Sequence, residues 1–276
     1  MSEVLDLPLL LEPEDLAPVL DHPELLILDF TNPDIYSRAH VPGAIFVPYQ
    51  HTVRGIPPTP GALPSEEHLS QLMSAMGLTP EKWVVVYDDE GGGWAGRFIW
   101  LLDSIGHSKY SYLNGGIHGW LAAQQAVSQE PVEPTPSQYQ VTIDDASASV
   151  DKVYILANFD RDDLVIWDAR SPQEYDGSRV NAQKGGHIPG AKNYEWTRAM
   201  DRERALKIRD PDTLINELAA LGISKDKEVI THCQTHHRSG FTYLLGKILG
   251  FDNIKAYPGS WSEWGNDPDT PVAYED

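Results

Sequence analysis

The hydrophobic positions of the chain fall into short continuous runs that alternate with longer amphipathic stretches. The continuous runs have the length and composition of buried strands, and they cover Leu25–Phe30, Trp83–Tyr87, Val165–Asp168 and Val229–Thr231. The amphipathic stretches have helical spacing, and they cover Leu9–Leu20, Ser65–Met76, Arg97–Ile105 and Phe241–Leu249. Because buried strands that alternate with helices form a parallel sheet covered on both faces, the pattern predicts an α/β protein.

The same order of elements occurs twice along the chain. Corresponding landmarks lie 139 to 147 residues apart, and they pair Asp29 with Asp168, His40 with His187, Asp88 with Cys233, and Trp120 with Trp264. Prolines among polar residues separate the two halves, as is typical of an extended linker. We therefore predict two tandem domains, 1–125 and 150–276, joined by a linker at 126–149. Each domain is expected to be a parallel open sheet with helices on both faces.

The charge and the apolar content of the chain restrict its partners. A net charge of −20 opposes binding to nucleic acid or to an anionic membrane through the overall field. No stretch reaches the ~20 apolar residues that span a membrane, and the first residues have neither the basic nor the apolar part of an export signal. We therefore expect a cytoplasmic protein with no nucleic-acid or membrane partner. An anionic substrate would have to be captured by a local positive patch.

Cys233 is the only cysteine of the chain, so an internal disulfide is excluded. It follows a predicted strand and precedes a predicted helix, in a loop that also contains Arg238. The positive end of a helix, inward N–H groups and a neighbouring cation all favour an anion. Such surroundings lower the pKa of a cysteine from ~8.5 to roughly 3.5–7.5. The pattern therefore predicts a nucleophilic thiolate at Cys233.

Two other interpretations of Cys233 are less consistent with the sequence. The first is a small buried side chain with no chemical role, which the strand, loop and helix order and the flanking histidines disfavour. The second is a metal site built from His232, Cys233, His236 and His237. Four ligands within six residues of a tight loop do not converge easily on a tetrahedron, so no metal is predicted.

The first half provides an internal comparison for the second. It has Asp88 where the second half has Cys233, so we expect it to be catalytically silent. The turns at His40 and His187 occur in both halves, and we therefore expect these imidazoles to hold the turns by hydrogen bonds. Gly91–Gly93 lacks the lysine and hydroxyl residues of a phosphate-binding loop, which favours a flexible turn. Adjacent Asp88 and Asp89 favour a solvated loop.

Two motifs resemble the signatures of the rhodanese family. Tyr36-x-x-x-His-Val-Pro-Gly-Ala-x-x-Val47 resembles one signature, and Tyr257-Pro-Gly-Ser-Trp-x-Glu-Trp264 resembles the other. The tandem arrangement resembles the two-domain rhodaneses, in which only the C-terminal half is active. The loop Cys233-Gln-Thr-His-His-Arg238 is similar to that of bacterial rhodaneses of the Azotobacter and Pseudomonas type. It differs from the loops of the animal thiosulfate and mercaptopyruvate enzymes, which also carry an arginine where this chain has Glu174.

The resemblance implies a sulfur transfer without a cofactor. The Cys233 thiolate would attack the outer sulfur of thiosulfate, sulfite would leave, and the persulfide would pass its sulfur to cyanide or a thiol. The resemblance and the loop together suggest substrate-binding roles for Gln234, Thr235, His236, His237, Arg238, Asp168, Arg170, Glu174 and Trp196. Among these, Asp168 and Arg170 are expected to form an ion pair, and Trp196 is expected to line the cleft. The preference for thiosulfate over 3-mercaptopyruvate stays open at this point.

Two rival functions remain to be compared with sulfur transfer. A cysteine-dependent phosphatase also binds its anion in a loop that runs from cysteine to arginine, but it places five residues between them, whereas Cys233 and Arg238 enclose four. The other rival is a persulfide or selenium carrier that delivers its cargo to a partner protein. A carrier would load Cys233 stoichiometrically and turn over slowly with cyanide.

Overall fold

The structure is a computed structural model that describes residues 5–144 and 146–274. In the first half the strands are β1 (Leu10–Leu11), β2 (Leu25–Asp29), β3 (Ile45–Phe46), β4 (Trp83–Tyr87) and β5 (Tyr110–Leu113). The helices of this half are α1 (Pro13–Leu16), α2 (Pro33–Arg38), α3 (Glu66–Ala75), α4 (Gly93–Ser104) and α5 (Gly116–Ala122). The strands lie parallel in the order β1-β5-β4-β2-β3.

The second half repeats this arrangement. Its strands are β6 (Leu164–Asp168), β7 (Lys192–Asn193), β8 (Met200–Asp201), β9 (Lys207–Ile208), β10 (Glu228–His232) and β11 (Ile254–Ala256). Its helices are α6 (Lys152–Asn158), α7 (Pro172–Tyr175), α8 (Pro211–Ala220), α9 (Arg238–Ile248) and α10 (Ser260–Trp264). The main sheet is parallel in the order β11-β10-β6-β7, and β8 pairs with β9 in an antiparallel ribbon. The order β5-β4-β2-β3 of the first half is therefore matched element by element, and the predicted α/β fold is confirmed.

Three predicted elements need correction. The helix predicted for Leu9–Leu20 is wrong at its start, because Leu10–Leu11 pairs with β5 as an edge strand. Helix α1 begins only at Pro13, a residue whose fixed φ suits the first helical position. Helices α4 and α9 begin earlier than predicted, at Gly93 and Arg238. Their first turns lack the apolar spacing by which a helix is recognised in sequence.

The two histidine turns are held as predicted. Nδ1 of His40 lies 2.7 Å from the Tyr36 carbonyl, and its ring stacks on the Tyr36 ring at 3.9 Å. In the second half, Nδ1 of His187 lies 2.9 Å from the Tyr175 carbonyl, and the rings stack at 3.7 Å. Both turns use the same contacts, so the predicted hydrogen bonds of these imidazoles are confirmed.

The halves pack through the crossing of α4 and α9, where glycines allow the backbones to touch. A Cβ atom on Gly96 would lie 2.5 Å from the Gly240 carbonyl oxygen, and one on Gly240 would lie 2.6 Å from the backbone nitrogen of Arg97. Beside the crossing, Asp103 of α4 accepts hydrogen bonds from Tyr243 (2.8 Å) and Lys247 (2.5 Å). The largest hydrophobic cluster includes side chains from both halves. The site described below therefore rests on a shared core.

The segment 126–149 crosses from one half to the other. It follows α3, where the Tyr139 N–H donates to Ser74 Oγ (2.9 Å) and the Val141 N–H donates to Ser70 Oγ (2.9 Å). It ends beside β11, where Ser149 bridges to Ala256. In the described parts of the chain, no helix has both the length and the apolar content for a membrane span.

Candidate functional site

Cys233 stands where β10 ends, at the carboxyl edge of the second sheet. Its N–H donates to Ser260 Oγ at 3.3 Å, and its carbonyl accepts from the Trp261 N–H at 2.9 Å. The next carbonyl, that of Gln234, accepts from the Ser262 N–H at 2.9 Å. The start of α10 therefore holds the loop from one side. Only 1% of the surface of Cys233 is exposed, so the sulfur is shielded from bulky reagents.

The groups around the sulfur favour its anionic form. Burial alone would raise the pKa of Cys233, but the Arg238 charge, the Ser239 hydroxyl and the N–H groups of Ser239 and Thr235 together hold it below its ordinary value. The Ser239 hydroxyl lies 3.4 Å from Sγ. The sequence predicted a lowered pKa from the helix terminus and Arg238, and the structure adds Ser239.

Arg238 is held by Glu174 in a bidentate ion pair. Nη1 and Nη2 of Arg238 lie 2.6 and 2.9 Å from the two carboxylate oxygens. Glu174 is also the N3 residue of a capping box with Ser171 at the start of α7. Burial would raise the pKa of Glu174, but Arg238 and Ser171 lower it to about 2. The ion pair therefore fixes the orientation of the Arg238 guanidinium at the end of the loop.

The predicted ion pair of Asp168 and Arg170 is confirmed. Nε of Arg170 lies 3.0 Å from both carboxylate oxygens, and Nη2 lies 2.6 Å from Oδ2. Nη2 also donates to the Gly186 carbonyl at 2.9 Å, and the guanidinium lies 4.3 Å from the centre of the Trp261 ring. Both charged groups are buried, so the pair does not face a solvent-filled cleft. It contacts the neighbours of the loop instead, through His232 and Trp261.

The histidines around Cys233 have different surroundings. His232 is buried beside Asp168, and burial lowers its pKa to about 4. His236 has a φ of +55° and is fully buried, with Nδ1 2.8 Å from Ser239 Oγ and its ring edge-on to Trp100 at 4.4 Å. Burial, with the nearby cation of Arg97, holds its pKa well below the ordinary value. Both imidazoles are therefore neutral near pH 7.

His237 points instead toward the first half. Its Nε2 forms a hydrogen bond with the Glu90 carboxylate, and its ring lies 4.3 Å from the Trp94 ring and 5.7 Å from the Trp196 ring. Trp196 also packs on Phe241 at 6.1 Å, so it approaches the loop through His237 and Phe241. Among the residues that the structure describes, no group of three or more His, Cys, Asp or Glu is arranged for a metal ion.

Gln234 and Thr235 form the outer part of the loop. Gln234 Nε2 lies 3.3 Å from the Asn181 carbonyl, while its Oε1 is buried and has no hydrogen-bond partner among the described residues. The Thr235 carbonyl faces Gly61 of the first half so closely that a Cβ on Gly61 would lie 2.1 Å from it. The structure thus brings all the predicted site residues to one loop and its immediate supports.

The matching loop of the first half is filled by its own carboxylate. Oδ1 of Asp88 accepts from the N–H groups of Glu90 (3.1 Å), Gly91 (3.1 Å) and Gly92 (2.8 Å), and Oδ2 accepts from Ala95 (3.0 Å). Burial, with the charge of Glu90, raises the pKa of Asp88 to about 7. The expected solvated loop and flexible turn are wrong here, because Asp88 is fully buried and Gly91 and Gly92 hold it. This loop is an anion site occupied by a side chain.

Sequence reasoning missed three residues of the site. Ser239 immediately follows Arg238, and its position in the first turn of α9 was a usable signal. Glu90 and Arg97 belong to the first half and reach the loop only because the halves pack through α4 and α9. No spacing in the sequence reveals that contact.

Comparisons with known proteins identify the family of the chain. A family model described as "Rhodanese-like domain" matches residues 12–123 and 151–267. The chain is 54% identical over 272 residues to a thiosulfate sulfurtransferase of Pseudomonas aeruginosa and 53% identical over 273 residues to one of Azotobacter vinelandii, covering 99% of each chain in both comparisons. It is 31% identical over 268 residues to the sulfur carrier protein TtuD of Thermus thermophilus, covering 92% of each chain.

A solved structure gives the same fold. The anaerobic ergothioneine biosynthesis enzyme from Chlorobium limicola matches with a TM-score of 0.87, over 97% of this chain and 70% of that chain. Its sequence identity is 21%, so this likeness concerns the fold alone.

Proposed function

The chain belongs to the rhodanese family, and from that premise we propose that it is a thiosulfate sulfurtransferase that carries sulfur as a persulfide on Cys233. The observation that carries the proposal is the environment of Cys233, whose pKa is lowered by Arg238, Ser239 and the loop N–H groups. The chain is also similar over nearly its whole length to proteins named thiosulfate sulfurtransferases.

The first half-reaction forms the persulfide. The Cys233 thiolate attacks the outer sulfur of thiosulfate, a bond forms from Sγ to that sulfur, and the S–S bond of thiosulfate breaks. The electron pair leaves with sulfite, and the persulfide carries the single negative charge that the thiolate had. The N–H groups of Thr235 and Ser239 and the guanidinium of Arg238 stabilise this anion. No cofactor or metal takes part in the scheme.

The second half-reaction restores the thiolate. Cyanide attacks the terminal sulfur, a C–S bond forms, the S–S bond breaks, and its electron pair returns to Sγ. A thiol acceptor would follow the same course. Because donor and acceptor react in turn with one sulfur atom, ping-pong kinetics are expected.

The remaining site residues act by position in this proposal. Glu174 fixes the orientation of the Arg238 side chain, and the ion pair of Asp168 and Arg170 supports the loop. Gln234, Thr235 and His236 shape the loop, while His237 and Trp196 contact each other beside it. The domains proposed are a silent one at 1–125, a linker at 126–149 and a catalytic one at 150–276. The buried carboxylate of Asp88 supports the silence of the first domain. The cytoplasmic location stays a prediction from sequence.

The test follows the sulfur atom directly. Incubation with thiosulfate in the absence of an acceptor should add about 32 Da to the intact protein, the mass of one persulfide sulfur. Cyanide should then remove that mass and release thiocyanate in repeated turnovers. Cys233→Ser is the control and should show neither event. Turnover by Cys233→Ser at the wild-type rate would refute the proposal, and the same assay with 3-mercaptopyruvate decides between the donors.

A sulfur carrier is the second candidate, and the similarity to the sulfur carrier protein of Thermus thermophilus favours it over the phosphatase. It predicts the same mass on Cys233 but slow release of thiocyanate, with fast transfer only to a protein acceptor of sulfur or selenium. Hydrolysis of an aryl phosphate without any reaction with thiosulfate would favour the phosphatase instead. The four residues enclosed by Cys233 and Arg238 leave less room than a phosphatase loop of five.

A further inference from the structure

The charges that the second half places around Cys233 are already paired. Asp168 is neutralised by Arg170 at 2.6 Å, and Glu174 is neutralised by Arg238 at 2.6 Å. Of these, Arg238 acts most strongly on the thiol. These two ion pairs fix the loop, but in each pair the carboxylate cancels part of the positive charge of the arginine. Their summed field at the sulfur is therefore smaller than that of a free cation.

The other ionisable groups near the loop add little free charge. His232 and His236 are neutral near pH 7 because burial lowers the pKa of each. His237 forms its hydrogen bond with Glu90 of the first half. On the side of α10, Tyr257 donates to Glu263 at 2.8 Å.

Arg97 of α4 is different, because its buried cation has no carboxylate partner. The side chain is fully buried, with Nη1 donating to the Thr52 carbonyl and Nη2 to the Gly61 carbonyl, both at 2.7 Å. These acceptors are neutral. Within residues 5–144 and 146–274, Nε of Arg97 has no hydrogen-bond partner, and no carboxylate lies within ion-pair distance of the guanidinium. An unpaired buried charge is costly. The Trp100 ring, whose centre lies 5.3 Å from the guanidinium carbon, offsets part of that cost, and an anion nearby would offset more.

The contacts of Arg97 place it against the back of the Cys233 loop. The Cβ position of Gly240, in the first turn of α9, lies 2.7 Å from the Arg97 Cα atom. Gly61, whose carbonyl Arg97 binds, lies against the Thr235 carbonyl. Burial lowers the pKa of Arg97 to about 9, and the negative charge of Cys233 opposes that fall. Arg97 is thus still protonated at pH 7.

We propose that Arg97 is a positioning residue that the catalytically silent half supplies to the active loop, with the Cys233 thiolate as its counter-ion. Its charge favours the anionic states of Cys233, the thiolate and the persulfide. Its two hydrogen bonds also hold the chain at Gly61 against the loop at Thr235. The part that concerns the persulfide rests on the proposed function, whereas the part that concerns the thiolate does not. The inference gives the silent half an electrostatic role in the chemistry of the other half.

The experiment measures the titration of the thiol itself. Cys233 is the only cysteine, so the rate of alkylation by iodoacetamide as a function of pH reports its pKa without interference, and the midpoint does not depend on how accessible the sulfur is. The variants are Arg97→Met, which removes the charge, and Arg97→Lys, which retains a cation. Phe98→Leu is the matched control, because Phe98 is a buried neighbour on α4 that packs on Phe30.

We expect Arg97→Met to raise the midpoint by roughly 0.5–1 unit, which slows alkylation about 3- to 10-fold at pH values below it. Arg97→Lys should recover at least half of the shift, and Phe98→Leu should leave the midpoint unchanged. The proposal is overturned by a wild-type midpoint in Arg97→Met, by equal shifts in the Met and Lys variants, or by an equal shift in Phe98→Leu. If Arg97→Met does not fold, Arg97→Gln takes its place, since its amide still donates a hydrogen bond.

The same proteins separate this inference from the proposed function. Wild-type turnover of thiosulfate with an unshifted midpoint in Arg97→Met would refute the inference alone. A shifted midpoint in Arg97→Met, with no turnover by the wild type, would refute the proposed function alone.

Discussion

The hydroxyl of Ser239 contacts both the sulfur of Cys233 and the imidazole of His236. The hydroxyl lies 3.4 Å from Cys233 Sγ and 2.8 Å from His236 Nδ1. Because the low pKa of His236 leaves its ring neutral, one ring nitrogen carries the only proton. A proton on Nδ1 lets the imidazole donate to Ser239 Oγ, so the hydroxyl proton is free to point at the sulfur. In that tautomer, His236 acts on Cys233 through Ser239.

Ser239→Ala should raise the pKa of Cys233 by about 1 unit. A hydrogen bond to an ionised group contributes ~1.5–3 kcal/mol, and the long S···O distance favours the lower end. Midpoints of iodoacetamide alkylation against pH would measure the change. Thr242→Val is the control, since Thr242 is a buried hydroxyl of the same helix that contacts Thr231. An alanine variant that titrates with the wild type would contradict the role of Ser239.

Glu174 should make stability depend on pH in the acid range. Its pKa falls to about 2 in the folded protein from an ordinary value of 4.5. A depressed carboxyl pKa stabilises the fold above the unfolded value and loses that contribution as pH falls from 4.5 toward 2. The full contribution is on the order of 3 kcal/mol, and Glu174→Gln should lack it.

Urea unfolding of the wild type and Glu174→Gln at pH 7 and pH 3 checks this prediction. The wild type should be the more stable protein at pH 7, and the difference between the two should shrink at pH 3. Asp212→Asn, at an exposed position near the start of α8, serves as the control and should show no such change. A difference that is independent of pH would mean that the charge of Glu174 does not stabilise the fold.

At the scale of elements, the crossing of α4 and α9 aligns the two halves. Gly240→Ala places a methyl group 2.6–2.7 Å from the backbone nitrogen and Cα of Arg97, and backbone cannot move aside as a side chain can. We expect a loss of ~1–3 kcal/mol in the free energy of unfolding, with slower sulfur transfer because the loop and Arg97 are separated. Urea unfolding and thiocyanate release measure both effects.

Gly246→Ala is the matched control on the same helix. Its new methyl group would meet the tips of the Ile254 and Phe251 side chains, which can rotate, and the gain in helix propensity is the same at both positions. It should therefore cost less than Gly240→Ala and leave sulfur transfer unchanged. Equal losses in the two variants would show that the crossing does not depend on close backbone approach.

The sequence predicts the bounds of an element correctly only where the residues of that element carry a clear hydrophobic pattern. Trp83–Tyr87 was predicted at its true bounds, because a strand buried on both faces has a continuous apolar run. Helix α9 was predicted to begin at Phe241 because its first turn, from Arg238 to Gly240, lacks apolar spacing. In this turn Gly240 allows the close helix crossing and Ser239 contacts the thiol. Neither contact can be read from the hydrophobic periodicity of a single helix.

At the scale of the molecule, the duplication explains what sequence could and could not reveal about the site. Cys233 and Arg238, like Asp168 and Arg170, are close in sequence, so their contacts follow from one loop or one strand end. Arg97 and Glu90 lie in the other half, and their contacts depend on how two folded sheets pack. In the first half, backbone N–H groups bind the carboxylate of Asp88. The same packing places this half against the Cys233 loop.

The net charge of −20 should make the reaction with thiosulfate faster at higher salt. Asp168 and Glu174 are matched by cations. The long-range field that an approaching dianion meets is therefore that of the whole acidic molecule, and it is repulsive. Salt shortens the screening length from ~30 Å at 0.01 M to about 8 Å at 0.15 M. The second-order rate of persulfide formation should therefore rise roughly 2- to 5-fold over that range.

Quenched samples analysed by intact mass would follow persulfide formation, with sodium chloride as the added salt. Iodoacetamide is the matched control reagent, because it is neutral and reacts with the same sulfur atom. Its rate should stay constant once corrected for the small change in thiolate fraction. A thiosulfate rate that falls with salt would mean that the local cations, Arg97 and Arg238, outweigh the acidic surface in attracting the donor. The rate of thiosulfate capture would then depend on the charges of the loop more than on the net charge of the protein.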